Sequence, residues 1–207
     1  MKTATYPDLA GKVVLVTGSS KALGAETARR FAAEGAKVVV NGRDERAIEH
    51  VATSIRSAGG ECIGVAADVT SAAELITLQG KIRERFGDVE ILAAFAGGLG
   101  NPVPVLDITE DQWRNTVNAD LTSKFLTVKT FLPPMKEKRS GNIILMSSAA
   151  GRLVSLASAA YGAAEAGTLM LMRHLARELG SFGVRANAIA PSIVRNEKID
   201  KFMPPEM

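Results

Sequence analysis

Residues 12–24, KVVLVTGSSKALG, join a short apolar run to a glycine-containing turn. The run 12–17 is rich in valine, which is typical of a buried strand in a parallel sheet. Ala22 then begins an amphipathic segment that predicts a helix over 22–34. Glycine in the turn lets the backbone approach a pyrophosphate, and the free amides at the start of the helix favour an anion. In this setting the turn indicates dinucleotide binding, and the alternative is an ordinary glycine loop.

The same alternation continues along the chain. Further apolar runs predict strands at 37–40, 62–66, 90–95, 142–146 and 184–189. Amphipathic segments between them predict helices at 44–57, 72–86, 110–131 and 158–181. The pairs Ser71/Glu74 and Thr109/Gln112 match the capping-box pattern, and Pro133-Pro134 is expected to end the fourth helix. The pattern predicts a single α/β domain over 1–207, with a doubly wound parallel sheet of the Rossmann type and helices on both faces.

Composition narrows the class of protein. The 207 residues are 46% hydrophobic and 23% charged, with a formal net charge of +3, as in ordinary globular domains. The basic residues are scattered without the stripe that nucleic-acid binding needs, and no apolar run approaches the length of a membrane span. One cysteine, Cys62, excludes an intrachain disulfide, and residues 1–11 lack the apolar region of a signal peptide. We therefore expect a cytoplasmic protein with no nucleic-acid partner, no membrane segment and no metal site.

The end of the second predicted strand indicates which dinucleotide is bound. Folds that prefer NAD place an acidic residue about 20 residues after the glycines, where it holds the ribose 2′-hydroxyl. Gly42 lies there in this chain, Arg43 follows it, and Lys21 lies in the glycine turn. Two cations and no carboxylate suit a 2′-phosphate, so NADP(H) is predicted in preference to NAD(H). The alternative is that Arg43 is simply a solvated residue in the first turn of its helix.

Several motifs in order carry a resemblance to a known family. Residues 17–24 are similar to the pattern T-G-x-x-x-G-x-G, with Ala22 at the middle glycine. Residues 94–97, AFAG, correspond to N-N-A-G, and residues 191–194, PSIV, are similar to P-G-x-I. From about Leu9 to Asn196 the chain thus resembles the short-chain dehydrogenase/reductase family, and within it the 3-oxoacyl-acyl-carrier-protein reductases.

The resemblance implies a set of catalytic residues. Tyr161 begins the family's Tyr-x-x-x-Lys motif and is the general acid or base, and Ser148, thirteen residues earlier, polarises the substrate oxygen. Asn118 corresponds to the asparagine of the catalytic tetrad. Glu165 stands where the family has its lysine.

The resemblance also implies a set of residues that contact the coenzyme. Asp68 and Val69 flank the adenine, and the segment after Pro191 meets the nicotinamide carboxamide. The full set is Thr17, Gly18, Ser20, Lys21, Leu23, Gly24, Arg43, Asp68, Val69, Ala96, Gly97, Pro191 and Ile193.

Glu165 reverses the charge that this site needs. A lysine one helical turn from Tyr161 lowers the pKa of the phenol and donates to the nicotinamide ribose, whereas a carboxylate raises that pKa. The chain is then a natural enzyme with slow or altered chemistry, a variant of an active enzyme, or a protein that binds nucleotide without turnover. Sequence alone predicts that Glu165→Lys raises turnover.

The last residues and the surroundings of the site bear on substrate and assembly. Residues 192–207 carry charges, two adjacent prolines and no period, and are predicted to be a mobile flap or a truncated end. The family usually continues through one more helix and a last strand, so either the sequence is incomplete or a partner covers the edge at 184–189. The segments 98–103, 153–156 and 193–203 are mainly apolar and predict a neutral, apolar carbonyl or alcohol substrate. The resemblance further implies a homodimer or homotetramer.

Two functions are compatible with these residues. The first is an NADP(H)-dependent oxidoreductase that transfers a hydride between nicotinamide and a carbonyl or alcohol. The alternative is a nucleotide-binding module without efficient catalysis, which acts in regulation or in interaction with other proteins.

Overall fold

The computed structural model describes residues 4–98 and 100–194. Its six strands lie on the predicted apolar runs, because segments rich in valine and isoleucine suit the interior of a sheet. The strands are β1 Val13–Thr17, β2 Lys37–Gly42, β3 Glu61–Ala66, β4 Ile91–Ala94, β5 Gly141–Met146 and β6 Val184–Ile189. All neighbouring strands are parallel, in the order β3-β2-β1-β4-β5-β6, and this confirms the predicted doubly wound sheet.

Helices cover both faces of the sheet. They are α1 Ala22–Ala33, α2 Glu45–Ser57, α3 Ala72–Phe86, α4 Glu110–Val117, α5 Ser123–Glu137 and α6 Ala159–Leu179. Because successive side chains of a strand point to opposite faces, the central strand β1 contributes to two cores. Leu15 packs in one core with Phe131 of α5, while Val14 and Val16 pack in the other with Ala28 of α1.

The two predicted capping boxes differ in the structure. At the start of α4 the Thr109 hydroxyl accepts from the Gln112 amide at 3.2 Å, and the Gln112 side chain accepts from the Thr109 amide at 2.9 Å. At the start of α3 the Ser71 hydroxyl accepts from the Glu74 amide at 3.3 Å. The Glu74 carboxylate, however, accepts from the amide of Asp68 at 2.8 Å, so this box is only half formed.

The predicted helix over 110–131 is divided and extended. A π turn at Asn118–Thr122 separates α4 from α5, and α5 runs on to Glu137 with Pro133 and Pro134 inside it. The prediction that the two prolines end this helix is wrong. Pro134 cannot donate to the carbonyl of Thr130, but the Gln79 side chain of α3 donates to that carbonyl at 2.6 Å. A contact from a distant helix therefore satisfies the oxygen that the proline leaves free.

The register of the sheet assembles one edge. Thr17 at the end of β1 lies beside Ala94 of β4, which lies beside Leu145 of β5. Ligands of open parallel sheets bind at the carboxyl ends of the strands, near the point where the strand order reverses. Here that point lies between β1 and β4.

Candidate active site

The glycine turn is fixed to the loop that follows β4. Thr17 is buried, and its hydroxyl accepts from the amides of Phe95 at 3.0 Å and Ala96 at 3.2 Å. Gly18 has φ +65°, and a Cβ there would lie 2.8 Å from the Cα of Ala96. Only glycine fits both this conformation and this approach. The turn and the loop thus form one rigid wall of the cleft.

The first turn of α1 is suited to an anion. Lys21 precedes the helix, and its side chain is exposed and does not cap the helix. The first amides of α1 are therefore available to bind an anion. A Cβ on Gly24 would lie 2.8 Å from the Cα of Ser19 and still closer to the carbonyl oxygen of Gly18. Ala22, at the position of the family's middle glycine, has φ +48°. An L-residue in the left-handed region carries a backbone strain of about 1–2 kcal/mol.

The ends of β2 and β3 bring together the residues predicted to bind the adenosine half. Gly42 lies beside Ala66 in the sheet, and a Cβ on Gly42 would lie 3.3 Å from the Cβ of Ser20. Arg43 is highly exposed and its guanidinium lies 4.0 Å from the Asp68 carboxylate. Partial burial raises the pKa of Asp68, but hydrogen bonds from Thr70 and the nearby Arg43 outweigh this and hold that pKa below its usual value.

Three other predicted coenzyme residues differ in exposure. Leu23 is 40% exposed at the start of α1, whereas Val69 is buried in the core. Ile193 is 63% exposed after β6. Pro191 is tied to the end of β5, because its carbonyl accepts from the amide of Ala149 at 2.9 Å.

Ser148 and Tyr161 form the centre of the cleft. Ser148 follows β5 and its hydroxyl accepts from the Ala150 amide at 3.2 Å. Tyr161 lies in the first turn of α6, where its amide donates to the hydroxyl of the capping residue Ser158 at 3.3 Å. A Cβ on Gly100 would lie 3.2 Å from the Tyr161 ring, so the loop after β4 closes over the phenol.

The charges around Tyr161 favour the neutral phenol. Burial raises the pKa of Tyr161 above its ordinary value of 10.0, and the Glu165 carboxylate raises it further. A hydrogen bond with the Ser148 hydroxyl lowers it, and Asp120 raises it again. The phenol is therefore protonated at neutral pH. A carboxylate at position 165 is expected to act in this direction.

Glu165 lies inside the protein, in contact with a lysine from another helix. Its side chain is 3% exposed, and Oε1 lies 3.3 Å from Nζ of Lys124, whose side chain is 2% exposed. The other carboxylate oxygen, Oε2, is buried and has no hydrogen-bond partner among the described residues. Burial raises the pKa of Glu165, and the Lys124 ammonium opposes that increase.

Asp120, within the π turn, belongs to this cluster. Asn118 is exposed and lines a surface depression with Trp113. Asp120 is fully buried. Its carboxylate accepts from the amide of Gly98, and its carbonyl accepts from Lys124 Nζ.

The carbonyl of Asp120 has a second donor. The Thr168 hydroxyl of α6 reaches it at 3.2 Å, so the π turn is bonded to both α5 and α6. Asp120 and Lys124 were not predicted as site residues. A signal for Lys124 is present, because its spacing from Val128 and Phe131 places it on the buried face of α5, where an unpaired lysine is rare. The same spacing places Asp120, four residues before Lys124, on that face and Asn118 away from it.

The residues present fit a dinucleotide. The positive φ angles of the turn, the uncapped start of α1 and the exposed cations Lys21 and Arg43 suit its phosphates. The unpaired Oε2 of Glu165 offers an acceptor for a hydroxyl group. Among the described residues no cluster of side chains could hold a metal ion. Within the same residues no helix is both long and apolar enough to cross a membrane.

Part of the C-terminal segment considered in the sequence lies outside the described residues. Asn196 and most of the segment predicted as a flap, residues 195–207, fall outside the described residues. Of that segment only 192–194 are described.

Known proteins resemble this chain along most of its length. A reductase of Mycobacterium tuberculosis, (5R,7aS)-5-hydroxy-7a-methyl-1-oxo-2,3,5,6,7,7a-hexahydro-1H-indene-carboxyl-CoA reductase, is 37% identical over 93% of this chain and 74% of its own. The 3-oxoacyl-[acyl-carrier-protein] reductase of Synechocystis is 35% identical over 91% of this chain and 76% of its own. The crystal structure of a short chain dehydrogenase from Mycobacterium smegmatis superposes with a TM-score of 0.87 at 33% identity, covering 94% of this chain and 82% of that one.

The family model for short chain dehydrogenases matches residues 12–204. The resemblance predicted from the motifs is therefore confirmed, and with it the use of a nicotinamide coenzyme that characterises the family. With its wound sheet, its glycine turn and the Ser148–Tyr161 centre, this chain belongs to the short-chain dehydrogenase/reductase family of oxidoreductases.

Proposed function

We propose that the protein is an NADPH-dependent reductase of apolar carbonyl compounds, with Tyr161 as the general acid. The observation that carries this proposal is the position of Tyr161 next to Ser148, at the carboxyl edge of the sheet and beside the glycine turn. NADPH bound along this edge would supply the hydride. The carbonyl oxygen gains a proton as the carbon gains the hydride, so a protonated donor at that oxygen is what the reaction requires.

The chain supplies that donor. The Ser148 hydroxyl orients the substrate oxygen, and the Tyr161 phenol, which stays protonated well above neutral pH, donates to it. Oxidation of an alcohol needs the phenolate, which the same environment disfavours. The direction of the shift in the pKa of Tyr161 therefore favours reduction over oxidation.

The test is NADPH consumption with a 3-oxoacyl thioester and with apolar ketones as substrates. Tyr161→Phe should lower kcat by roughly 10² to 10⁴-fold, the usual worth of general acid catalysis. Tyr6→Phe is the matched control, because Tyr6 is the only other tyrosine and lies exposed near the start of the chain. Equal activity of the two variants would contradict the role of Tyr161.

The preference for NADPH rests on the second strand. Arg43 is 82% exposed in its side chain and only loosely paired, while Asn41 at the end of β2 is a buried amide and not a carboxylate. Arg43→Ala should weaken NADPH binding about tenfold or more and leave NADH binding unchanged, since one charge-assisted hydrogen bond is lost. Arg46→Ala, an exposed arginine in the same helix region, is the control. Equal losses for both coenzymes would contradict recognition of the 2′-phosphate by Arg43.

An apolar substrate is supported by the surroundings of the site. Leu153, Val154 and Leu156 are 71%, 105% and 91% exposed in the segment between Ser148 and Tyr161. Apolar side chains exposed together mark a binding surface more often than an ordinary surface. Trp113, Phe125 and Met170 are also exposed, on α4, α5 and α6 respectively, and support self-association as a homodimer or homotetramer. Light scattering of the purified protein tests the latter.

Nucleotide binding without efficient turnover is the second candidate. The observation in its favour is Glu165, whose carboxylate raises the pKa of the phenol instead of lowering it. Quenching or enhancement of NADPH fluorescence on binding, with no consumption in the presence of any carbonyl compound tested, would favour this function over the reductase.

A further inference from the structure

The positive charge at this site comes from a different helix than the family motif provides. The motif places a lysine on the same helix as the tyrosine, and this chain has Glu165 there. Lys124 of α5 inserts its ammonium group between Glu165 Oε1, 3.3 Å away, and the carbonyl of Asp120. The cation is thus present in the cluster, but it is bonded to the π turn and to the carboxylate.

Burial makes the two charges dependent on each other. Both side chains are at most 3% exposed. A buried charge without its partner is strongly unfavourable, whereas a buried pair often contributes little stability compared with apolar residues of the same size. A pair of this kind one turn from the candidate acid therefore fits a role in the site better than a role in the fold.

Contacts with neighbouring backbone also hold the Lys124–Glu165 pair in place. The Asp120 carbonyl accepts from both Lys124 and Thr168, and the Glu165 carbonyl accepts from the Ser147 hydroxyl at 3.0 Å. A Cβ on Gly151 would lie 2.6 Å from the backbone of Glu165, so the turn after β5 lies directly on α6. These contacts bind the pair to the π turn and to the turn after β5.

We infer that Lys124 is a positioning residue of the active site: it partly offsets the charge of Glu165 near Tyr161 and holds the carboxylate oxygen without a partner, Oε2, in place as an acceptor. The pair replaces the single lysine of the family motif by a cation on α5 and an anion on α6. Lys124 acts through Glu165 and does not touch the reacting atoms. The significance for catalysis rests on the proposed reductase function; the coupling of the three side chains does not.

Titration of Tyr161 in the protein without coenzyme tests this inference. In a Tyr6→Phe background Tyr161 is the only tyrosine, so the ultraviolet absorbance of phenolate reports it alone. The groups that face it are Ser148, Glu165 and Asp120, with Lys124 behind Glu165. Removal of a cation or an anion from this set should shift the pKa of Tyr161 by about one unit or more.

The expected order is specific. Lys124→Met leaves Glu165 uncompensated and should raise the pKa of Tyr161. Glu165→Gln should lower it, and the double variant Lys124→Met/Glu165→Lys, with one cation now on α6, should lower it most. Lys129→Met and Glu178→Gln are matched controls, because both residues are exposed on the same two helices. A shift in Lys124→Met no larger than in Lys129→Met would overturn the inference.

A second measurement covers variants that fold poorly. Midpoints of unfolding in urea are compared for Lys124→Met, Glu165→Gln and the two combined. If the pair is coupled, the combined variant loses less than the sum of the single losses, while Lys129→Met and Glu178→Gln add. Additive losses for Lys124→Met and Glu165→Gln would overturn the inference.

The two proposals fail separately. Both measurements are made without NADPH, so a protein that does not consume NADPH but shows the expected order would refute the reductase function and leave the coupling intact. Consumption of NADPH with no coupling would do the reverse.

Discussion

The glycine turn after β1 and the Lys124–Glu165 pair lie on the same edge of the sheet, and both depend on atoms at close range. In the turn those atoms are near in sequence: Gly24 packs on Gly18 and Ser19 within one strand–helix unit. In the pair they come from residues 41 positions apart, on different helices. The turn is thus recognisable as a local motif and tolerates few substitutions, whereas the pair can exchange its members if both change together.

The largest expected effect tests whether Lys124 and Glu165 depend on each other. Sequence alone predicts that Glu165→Lys raises turnover, and the contact with Lys124 adds a loss of stability to this prediction. The single change would bury two ammonium groups side by side and should lower the free energy of unfolding by about 3–5 kcal/mol. Urea unfolding measures it, and the double variant Lys124→Met/Glu165→Lys should recover most of the loss. A fully stable single variant would show that the two side chains are not bound to each other.

A smaller effect tests the close packing of the glycine turn. Gly24→Ala should lower the free energy of unfolding by about 1–3 kcal/mol, because the new methyl group meets the backbone of the turn. Gly80→Ala is the control: this glycine lies inside α3 with no atom near its missing Cβ, and alanine there should stabilise by roughly 0.5–1 kcal/mol. Equal effects of the two variants would mean that the turn is not closely packed.

The pH dependence of stability distinguishes the pair from an ordinary surface carboxylate. Burial raises the pKa of Glu165 in the folded state above its ordinary value of 4.5. Between the pKa of Glu165 in the unfolded state and its raised pKa in the folded state, the folded protein binds more protons than the unfolded protein. The free energy of unfolding therefore falls as pH rises through that window and is constant above it. The difference between wild type and Glu165→Gln, followed by urea unfolding from acid to neutral pH, should show this fall. A difference that increases with pH would indicate a lowered pKa and a fully compensated ion.

The smallest effect concerns the backbone of the glycine turn at Ala22. Ala22 has a left-handed backbone conformation, φ +48°, at the position where the family has glycine. Ala22→Gly should relieve about 1 kcal/mol of strain and strengthen NADPH binding by less than tenfold, because the methyl group no longer restricts the approach of the phosphates. Fluorescence titration measures the affinity, with Ala33→Gly at the end of the same helix as a control that should only destabilise. Weaker binding after Ala22→Gly would show that the methyl group contributes to the turn.

Local patterns predicted most of the fold. Apolar runs located the six strands of the described residues, and the Thr109/Gln112 pattern located the start of α4. The motif around Tyr161 predicted that Tyr161 and Ser148 lie together, and the two side chains are hydrogen-bonded where β5 has ended and α6 begins. Such features need only near neighbours in sequence, and a single sequence contains them.

The remaining features depend on distant partners. The helix α5 continues through Pro133 and Pro134 because Gln79 of α3 takes the place of the missing donor. The π turn at Asn118–Thr122 divides a helix that the spacing predicts to be continuous over 110–131. Lys124 compensates Glu165 across two helices. None of these follows from periodicity, since periodicity describes one element at a time.

The π turn at Asn118–Thr122 has a consequence for how the chain can vary in length. A π turn is equivalent to one residue inserted into an α-helix, and one residue of α-helix corresponds to a rotation of about 100°. By absorbing that residue, the π turn keeps the core register of α5, set by Val128 and Phe131, in phase with the outward face of α4, which carries Trp113. Deletion of one residue here would regularise the helix and leave both faces in place, so the chain can lose or gain a residue at this point without exposing its core.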